Sequence, residues 1–346
     1  MKTILYNILL FLILDVAIGV GYDAYKTSEN NEKKYRIKSP VYHHGIRPNY
    51  SGITYWEAGR PYRVDSDNLG LKSREGKHTR LEKNGERTVW IGDSFTEGVG
   101  YEYDSTFVGL FDAKYPRHEM LNMGVVSYSP VLYKSKLRYF LDEGLEFDNL
   151  VVCIDISDIQ DEVIYRREGF GVDDPKPFSL RGFILGNIRY SITLRMVALV
   201  CYRNEDAKTE EVKIDMDDRA AWATDRRVFD AWGREGLIMA ASNMDEIFRW
   251  NSKAGRKTVI VIYPWPYQII NRSYVNIHTV FWKDFCAQRG IPLVDLFPDF
   301  EEACRTMGEQ KVLDSFFVKG DVHWNQKGHD FIYRSIDKRL REHQLF

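Results

Sequence analysis

Three side chains of this sequence are of the types that acyl transfer needs. Ser94 stands in "WIGDSFTEGVG", directly after a short apolar run, and Asp321 stands two residues before His323 in "KGDVHWNQKGHDF". A serine hydroxyl is a poor nucleophile until a base takes its proton. Histidine serves as that base when a carboxylate holds its tautomer and stabilises its cation. Asp-x-His on one loop supplies both partners as a local unit. Ser94 also has a plainer reading, because Asp and Ser are preferred at helix N-caps, where their oxygens accept first-turn N–H groups. An oxyanion needs donors too. Gly124 in "LNMGVVSYSP" is either a turn glycine or a place where a backbone N–H can approach a substrate. Ser157 and Asp158 in "CIDISDIQDE" open another strand-to-helix turn, where first-turn N–H groups favour an anion.

The elements that would position these residues can be read from hydrophobic pattern. "TVWIG", "EMLNMG", "LVVCIDI", "TVIVIYP" and "IPLVDLF" read as buried parallel strands. Amphipathic segments such as Pro130 to Glu143 and Tyr274 to Arg289 lie between them. Five strands with intervening helices predict a three-layer α/β/α sandwich on a mainly parallel five-stranded sheet. Ligands of such sheets bind at the carboxyl ends of the strands, where Ser94 would lie. This domain is expected over residues 86–346, with an insertion at about 166–231 that holds no evident core strand and would shape the substrate entrance. Residues 25–85 read as a charged linker followed by an accessory lobe of turns and short strands, with Asp65, Asn68 and Gly70 in a tight turn.

The first 24 residues differ from the rest. Lys2 precedes a mostly apolar run from about Ile4 to Tyr22, near bilayer length, interrupted by Asp15. This predicts a retained single-pass anchor of the cytoplasmic membrane with the bulk of the chain on the extracytoplasmic side; a cleaved signal peptide ending near Ala17, Gly19 or Gly21 is the alternative. The 48 Lys and Arg against 50 Asp and Glu leave a net charge of −2, which gives no reason to expect nucleic acid. Cys153, Cys201, Cys286 and Cys304 have no metal-ligand spacing, Cys153 reads as a core residue, and pairing among the others stays open. No metal is expected at His43 and His44 or in the acidic run after Ser157, whose carboxylates read as a solvated helix start.

In order along the chain, "GDSFTEG", "NMG", "DISDIQD" and "DVHWN" resemble the conserved blocks of the SGNH (GDSL-like) hydrolases, over roughly residues 87–345. The resemblance implies a flavodoxin-like fold and a serine ester hydrolase or acyltransferase without cofactor or metal. It implies Ser94 as nucleophile, His323 as general base and then acid, Asp321 as its orienting carboxylate, and the N–H groups of Ser94 and Gly124 as oxyanion donors. The third block departs from Gly-x-Asn-Asp, because Ser157 stands where the family's oxyanion asparagine would be. A hydroxyl donates one hydrogen bond but is shorter than an amide. Asp93 is expected to cap and shape the nucleophile's turn, and Asp158 to support the backbone around Ser94 if it is buried. Membrane-anchored bacterial relatives of this organisation add or remove acyl groups on extracytoplasmic polysaccharides. The expected substrate is therefore an O-acyl, above all O-acetyl, carbohydrate ester, with polysaccharide-assembly proteins as partners; a catalytically silent carbohydrate-binding protein is the alternative. Tyr50, Tyr55, Trp56, Tyr62, Phe170 and Phe178 are aromatics available for sugar rings. Trp324 and Asn325 read as structural supports of the histidine loop.

Overall fold

The computed structural model describes residues 2–29, 32–56, 60–170, 191, 193, 196 and 218–342. The chain divides into two compact units, one of Arg36–Gly171 with Asp215–Phe346 and the other of Met1–Tyr35 with Val172–Ile214.

In the larger unit the five expected strands all form; residues 150–154 and 259–262 are continuous apolar runs buried on both faces, and Leu293–Asp295 is a short edge strand. Two antiparallel hairpins come first, β1 (Arg36–Ser39) with β2 (His43–Ile46) and β3 (Ser51–Trp56) with β4 (Arg60–Asp65). The parallel sheet follows: β5 (Glu86–Ile91), β6 (His118–Asn122), β7 (Asn149–Ile154), β8 (Lys257–Ile262) and β9 (Leu293–Asp295), in the spatial order β6-β5-β7-β8-β9. Numbered within the sheet, that is 2-1-3-4-5, the flavodoxin-like order, whose switch point lies between β5 and β7. Ser94 follows β5 and Ser157 follows β7.

Helices cover both faces, as a parallel sheet requires. Helices Pro130–Asp142, Asp158–Glu168 and Arg234–Lys253 pack together, and Phe107–Lys114 packs with Gln326–Glu342. Trp90 of β5 has no exposed surface and lies between Phe107 and Phe111. Cys153, Cys286 and Cys304 are buried free thiols, while Cys201 lies outside the described residues.

The two hairpins belong to the same compact unit as the sheet. Arg36 donates to both carboxylate oxygens of Glu97, at 2.9 and 3.0 Å. His44 Nε2 lies 2.8 Å from the Val126 carbonyl, and burial pulls the His44 ring down to about 4. Lys72 Nζ donates to the carbonyls of Gly98 and Tyr101 at 2.7 and 2.6 Å. The Gly70 turn is tied by Asp67, whose carboxylate accepts the N–H groups of Leu69 and Leu71.

In the smaller unit a single helix runs from Lys2 to Glu29, so the boundary expected at residue 24 falls inside it. Among the described residues no helix is long and apolar enough to cross a membrane. The Asp15 carboxylate within it is buried and accepts hydrogen bonds from the Ser191 hydroxyl and from the Thr193 N–H and Oγ1 at 2.9 and 3.0 Å.

Glu97 has no exposed surface. Replacing its partner by Arg36→Met leaves a buried carboxylate without its main counter-charge and is expected to cost about 3 kcal/mol. Urea unfolding of the purified variant measures it, and adding Glu97→Gln should recover part of the loss.

Candidate active site

The nucleophile's turn is tight because two glycines permit it. A Cβ on Gly92 would lie 2.1 Å from Thr96 Oγ1, and one on Gly124 would lie 2.4 Å from the Glu97 nitrogen. With both absent, the end of β5 turns into the one-turn helix Ser94–Glu97, and the loop after β6 packs directly on it. Asp93 caps that helix, accepting the Phe95 N–H at 3.0 Å, as expected.

The sheet's carboxyl edge brings the three chemistry-bearing residues together. His323 Nε2 is 2.8 Å from Ser94 Oγ, and His323 Nδ1 is 2.6 Å from Asp321 Oδ1. The His323 backbone N–H also donates to Asp321 Oδ1, at 3.2 Å. Asn325 secures the loop, its Oδ1 accepting the Gly328 N–H and its Nδ2 donating to the Phe317 carbonyl. Trp324 is buried against Phe95 and Tyr263, a core residue behind the loop. Burial pushes the Asp321 carboxyl up. The hydrogen bond and charge of His323, with the Trp56 indole N–H, outweigh that and hold it at about 2. It therefore stays ionised where an imidazolium needs a counter-charge.

A cavity of about 490 Å³ opens on this group, lined by Trp56, Ser94, Ser127, Ser157, Arg219 and Trp265 among others. Gly124 is not in its lining. Its N–H, expected as an oxyanion donor, donates here to Asn122 Oδ1 at 2.9 Å, and the missing side chain permits the close packing on the Ser94 helix. Three residues on, Ser127 does line the cavity, in the left-handed region at φ 56°. Among the described residues its N–H and that of Ser94 make no hydrogen bond. Nothing in "VVSYSP" marked Ser127, because a left-handed turn usually shows itself by Gly or Asn.

Ser157 lines the cavity too. Its N–H is taken by Asp155 Oδ1 at 2.5 Å, its side chain does not cap the helix that follows, and its hydroxyl has no partner among the described residues. The acidic run after it is not solvated: Asp158, Asp161 and Glu162 are all buried. Asp158 supports Asp155 rather than Ser94, accepting the Tyr133 hydroxyl at 2.7 Å and the Asp155 N–H at 3.2 Å. Asp155, which stands at the family's glycine position, also accepts the Trp265 indole N–H at 2.9 Å.

Asp93, Asp155 and Asp158 present oxygens within 4.8 Å of one another. Three charges cannot share so dry a place. Burial, then the neighbouring Asp155 charge, drives the Asp93 carboxyl far above its ordinary range, and burial with the same neighbours does so for Asp158. Ser94 Oγ is 3.3 Å from Asp93 Oδ2. That contact is longer than the 2.8 Å from Ser94 Oγ to His323 Nε2, so the ring is the nearer partner of the hydroxyl.

Of the aromatics considered for sugar contact, Trp56 lines the cavity, Tyr62 is buried, and Phe178 lies outside the described residues. Arg219, at the end of the expected insertion, reaches the cavity while donating to Asp161 at 2.5 Å. His43 Nδ1 lies 2.7 Å from His44 Nδ1, the pair being engaged with each other.

No protein-family model and no curated protein matches this chain. Similar solved structures include a member of the lipolytic G-D-S-L family from Veillonella parvula, at 13% identity over 73% of this chain and 97% of that one, TM-score 0.42. Another is a catalytic mutant of an acetylxylan esterase from Geobacillus stearothermophilus, at 14% identity over 75% and 96%, TM-score 0.41. A third is an alpha/beta hydrolase from the metagenome of Lake Arreo, at 13% identity over 75% and 97%, TM-score 0.42. Likenesses this distant decide neither family nor substrate.

Glu162 ties the loop after Ser127, accepting the Val131 N–H at 2.5 Å and the Ser129 hydroxyl at 3.2 Å. Burial pushes its carboxyl up to about 7, against an ordinary 4.5. Between those values the native state holds a proton that the unfolded chain has lost, so stability falls as pH rises. Glu162→Gln should therefore gain on the parent from about pH 4.5 to about pH 7, by at most about 3 kcal/mol, and the difference should be flat on either side. Urea midpoints across that range read it.

Proposed function

We propose that this protein is an SGNH-type serine esterase acting on O-acyl, above all O-acetyl, esters of an extracytoplasmic polysaccharide. The observation that carries the reading is the chain of two short contacts from Ser94 Oγ through His323 to an ionised Asp321. In this reaction Ser94 Oγ bonds to the ester carbonyl carbon while its proton passes to His323 Nε2. The oxyanion that forms is met by the N–H groups of Ser94 and Ser127 and by the Ser157 hydroxyl. His323 returns the proton to the departing sugar oxygen, leaving an acyl-serine. Water, activated by the same histidine, then releases the acid; a sugar hydroxyl in its place would make the protein an acyltransferase.

Support for the family comes from the order of the four sequence blocks and from the fold that carries them. Support for a carbohydrate comes from the pocket's make-up, two tryptophans with serines and an arginine around the triad. The working place we assign is the outer side of the cytoplasmic membrane, with attachment through Lys2–Glu29. What favours it is the helix's exposed apolar surface, which includes Ile4, Leu10, Phe11, Ile13, Val16 and Val20. The polysaccharide-assembly machinery is the partner class this location suggests.

The test uses the full chain in detergent with p-nitrophenyl acetate and with an acetylated polysaccharide. Ser94→Ala should abolish turnover, and equal rates for parent and variant would sink the nucleophile assignment. Ser157→Ala should lower kcat roughly a hundredfold with KM little changed, the loss expected of one oxyanion donor. Free acetate as product marks a hydrolase, and acetate moved to a second glycan marks a transferase. Flotation of the full chain with lipid vesicles, lost on deleting residues 2–29, checks the attachment.

A further inference from the structure

The first unit of the esterase site to be met along the chain is not on the sheet at all. Trp56 ends β3, 265 residues before Asp321, and its indole Nε1 donates to Asp321 Oδ2 at 2.6 Å. The two carboxylate oxygens are thus divided: Oδ1 faces the ring and backbone of His323, and Oδ2 faces Trp56. The same indole meets the His323 ring edge-on, with centroids 5.1 Å apart and planes at 85°.

The hairpin holds this tryptophan from behind. Trp56 pairs in register with Arg60, whose guanidinium donates to the Tyr101 hydroxyl at 3.1 Å and lies 4.8 Å from the Tyr101 ring centroid. Gly100, in the left-handed region at φ 79°, brings the loop alongside: a Cβ there would be in ordinary contact with Trp56 Cβ, at 3.6 Å. The indole is therefore fixed against the loop that follows the nucleophile helix and against the carboxylate of the histidine loop at once.

We propose that Trp56 is a positioning residue of the catalytic triad, acting through Asp321 to hold His323 in register with Ser94. The proposal rests on the serine-esterase reading above. A carboxylate hydrogen-bonded on one oxygen alone can rotate about its Cβ–Cγ bond and lose the imidazole. A second donor on the other oxygen stops that rotation. The donor also has to be neutral, because an arginine in its place would spend the negative charge that the imidazolium needs. Indole is a donor only, so it cannot take the carboxylate's other role. Its ring covers the Asp–His contact, which keeps water from competing for it.

The experiment compares the full-length parent with Trp56→Phe, which keeps a flat apolar ring and removes the N–H. The expected result is a kcat on p-nitrophenyl acetate lower by roughly tenfold, the equivalent of one hydrogen bond, with KM within about twofold of the parent. The low-field proton resonance of the Asp321–His323 contact should broaden or move. Circular dichroism confirms folding, and Trp56→Leu makes the same comparison if the phenylalanine variant does not fold. A W56F enzyme with parental kcat and an unmoved resonance overturns the proposal, and a rise in KM alone assigns Trp56 to the substrate wall instead. Ser94→Ala in the same assay separates the two claims: if it stays active, the esterase reading fails and the kcat comparison with it, and the proton resonance alone then decides whether Trp56 holds the Asp321–His323 contact.

Discussion

A carboxylate with no access to water has to find every partner inside the protein, and Glu97 is such a group. It lies three residues after Ser94, and its oxygens accept both arms of Arg36 and the Val126 N–H at 2.8 Å. Burial pushes its carboxyl up, but the charges of Arg36 and Lys72 and that N–H prevail and hold it below the ordinary range. One buried charge thereby joins the nucleophile's helix, the first hairpin and the loop that carries Ser127. A buried pair of this kind is weak evidence for added stability, because both ions lose hydration. Its worth here is in geometry: three segments that must agree to within an ångström meet at one group that cannot move to water.

Environment then separates the site's carboxyl groups into two kinds. Asp321 is a half-buried anion with donors on both oxygens. Asp93 is a dry carboxyl next to a second carboxyl, and both burial and that neighbour push it far above its ordinary range. The two environments push the groups apart, as acid and base chemistry on one fold requires. The result is that Ser94 sees one good proton acceptor, the histidine, even though two aspartates flank its turn.

Much of this was legible in the sequence, and what was not had physical reasons. The five core strands showed because parallel strands buried on both faces are continuous apolar runs; Ser94 showed because it stands where one such run ends, and Asp321 and His323 because Asp-x-His lies on one loop before the last helix. Trp56 did not, since no local pattern links residues 265 apart. The Ser127 N–H gave no signal because a donor's direction depends on backbone torsions, and the glycine at 124 signals permission for close approach rather than use. Asp158, Asp161 and Glu162 were read as solvated because charged residues almost always are. Their burial comes from partners elsewhere in the chain, such as Arg219 on Asp161 and Asn243 on Glu162.

The turn after β7 shows how one side chain can stiffen a helix start. Asp155 and Ser157 are joined there: Asp155 Oδ1 takes the Ser157 N–H, and Oδ2 takes the Trp265 indole. A glycine could hold neither. Asparagine reaches an oxyanion by length, whereas serine is shorter by the carbon of the amide and must be brought closer by its backbone. The Asp155 carboxyl fixes that backbone at the head of the helix, and with the N–H so occupied the hydroxyl is the group left to face the cavity. Asp155 and Ser157 therefore act as one unit, a rigid turn that sets a short hydroxyl at the cavity where a looser turn would need a longer side chain.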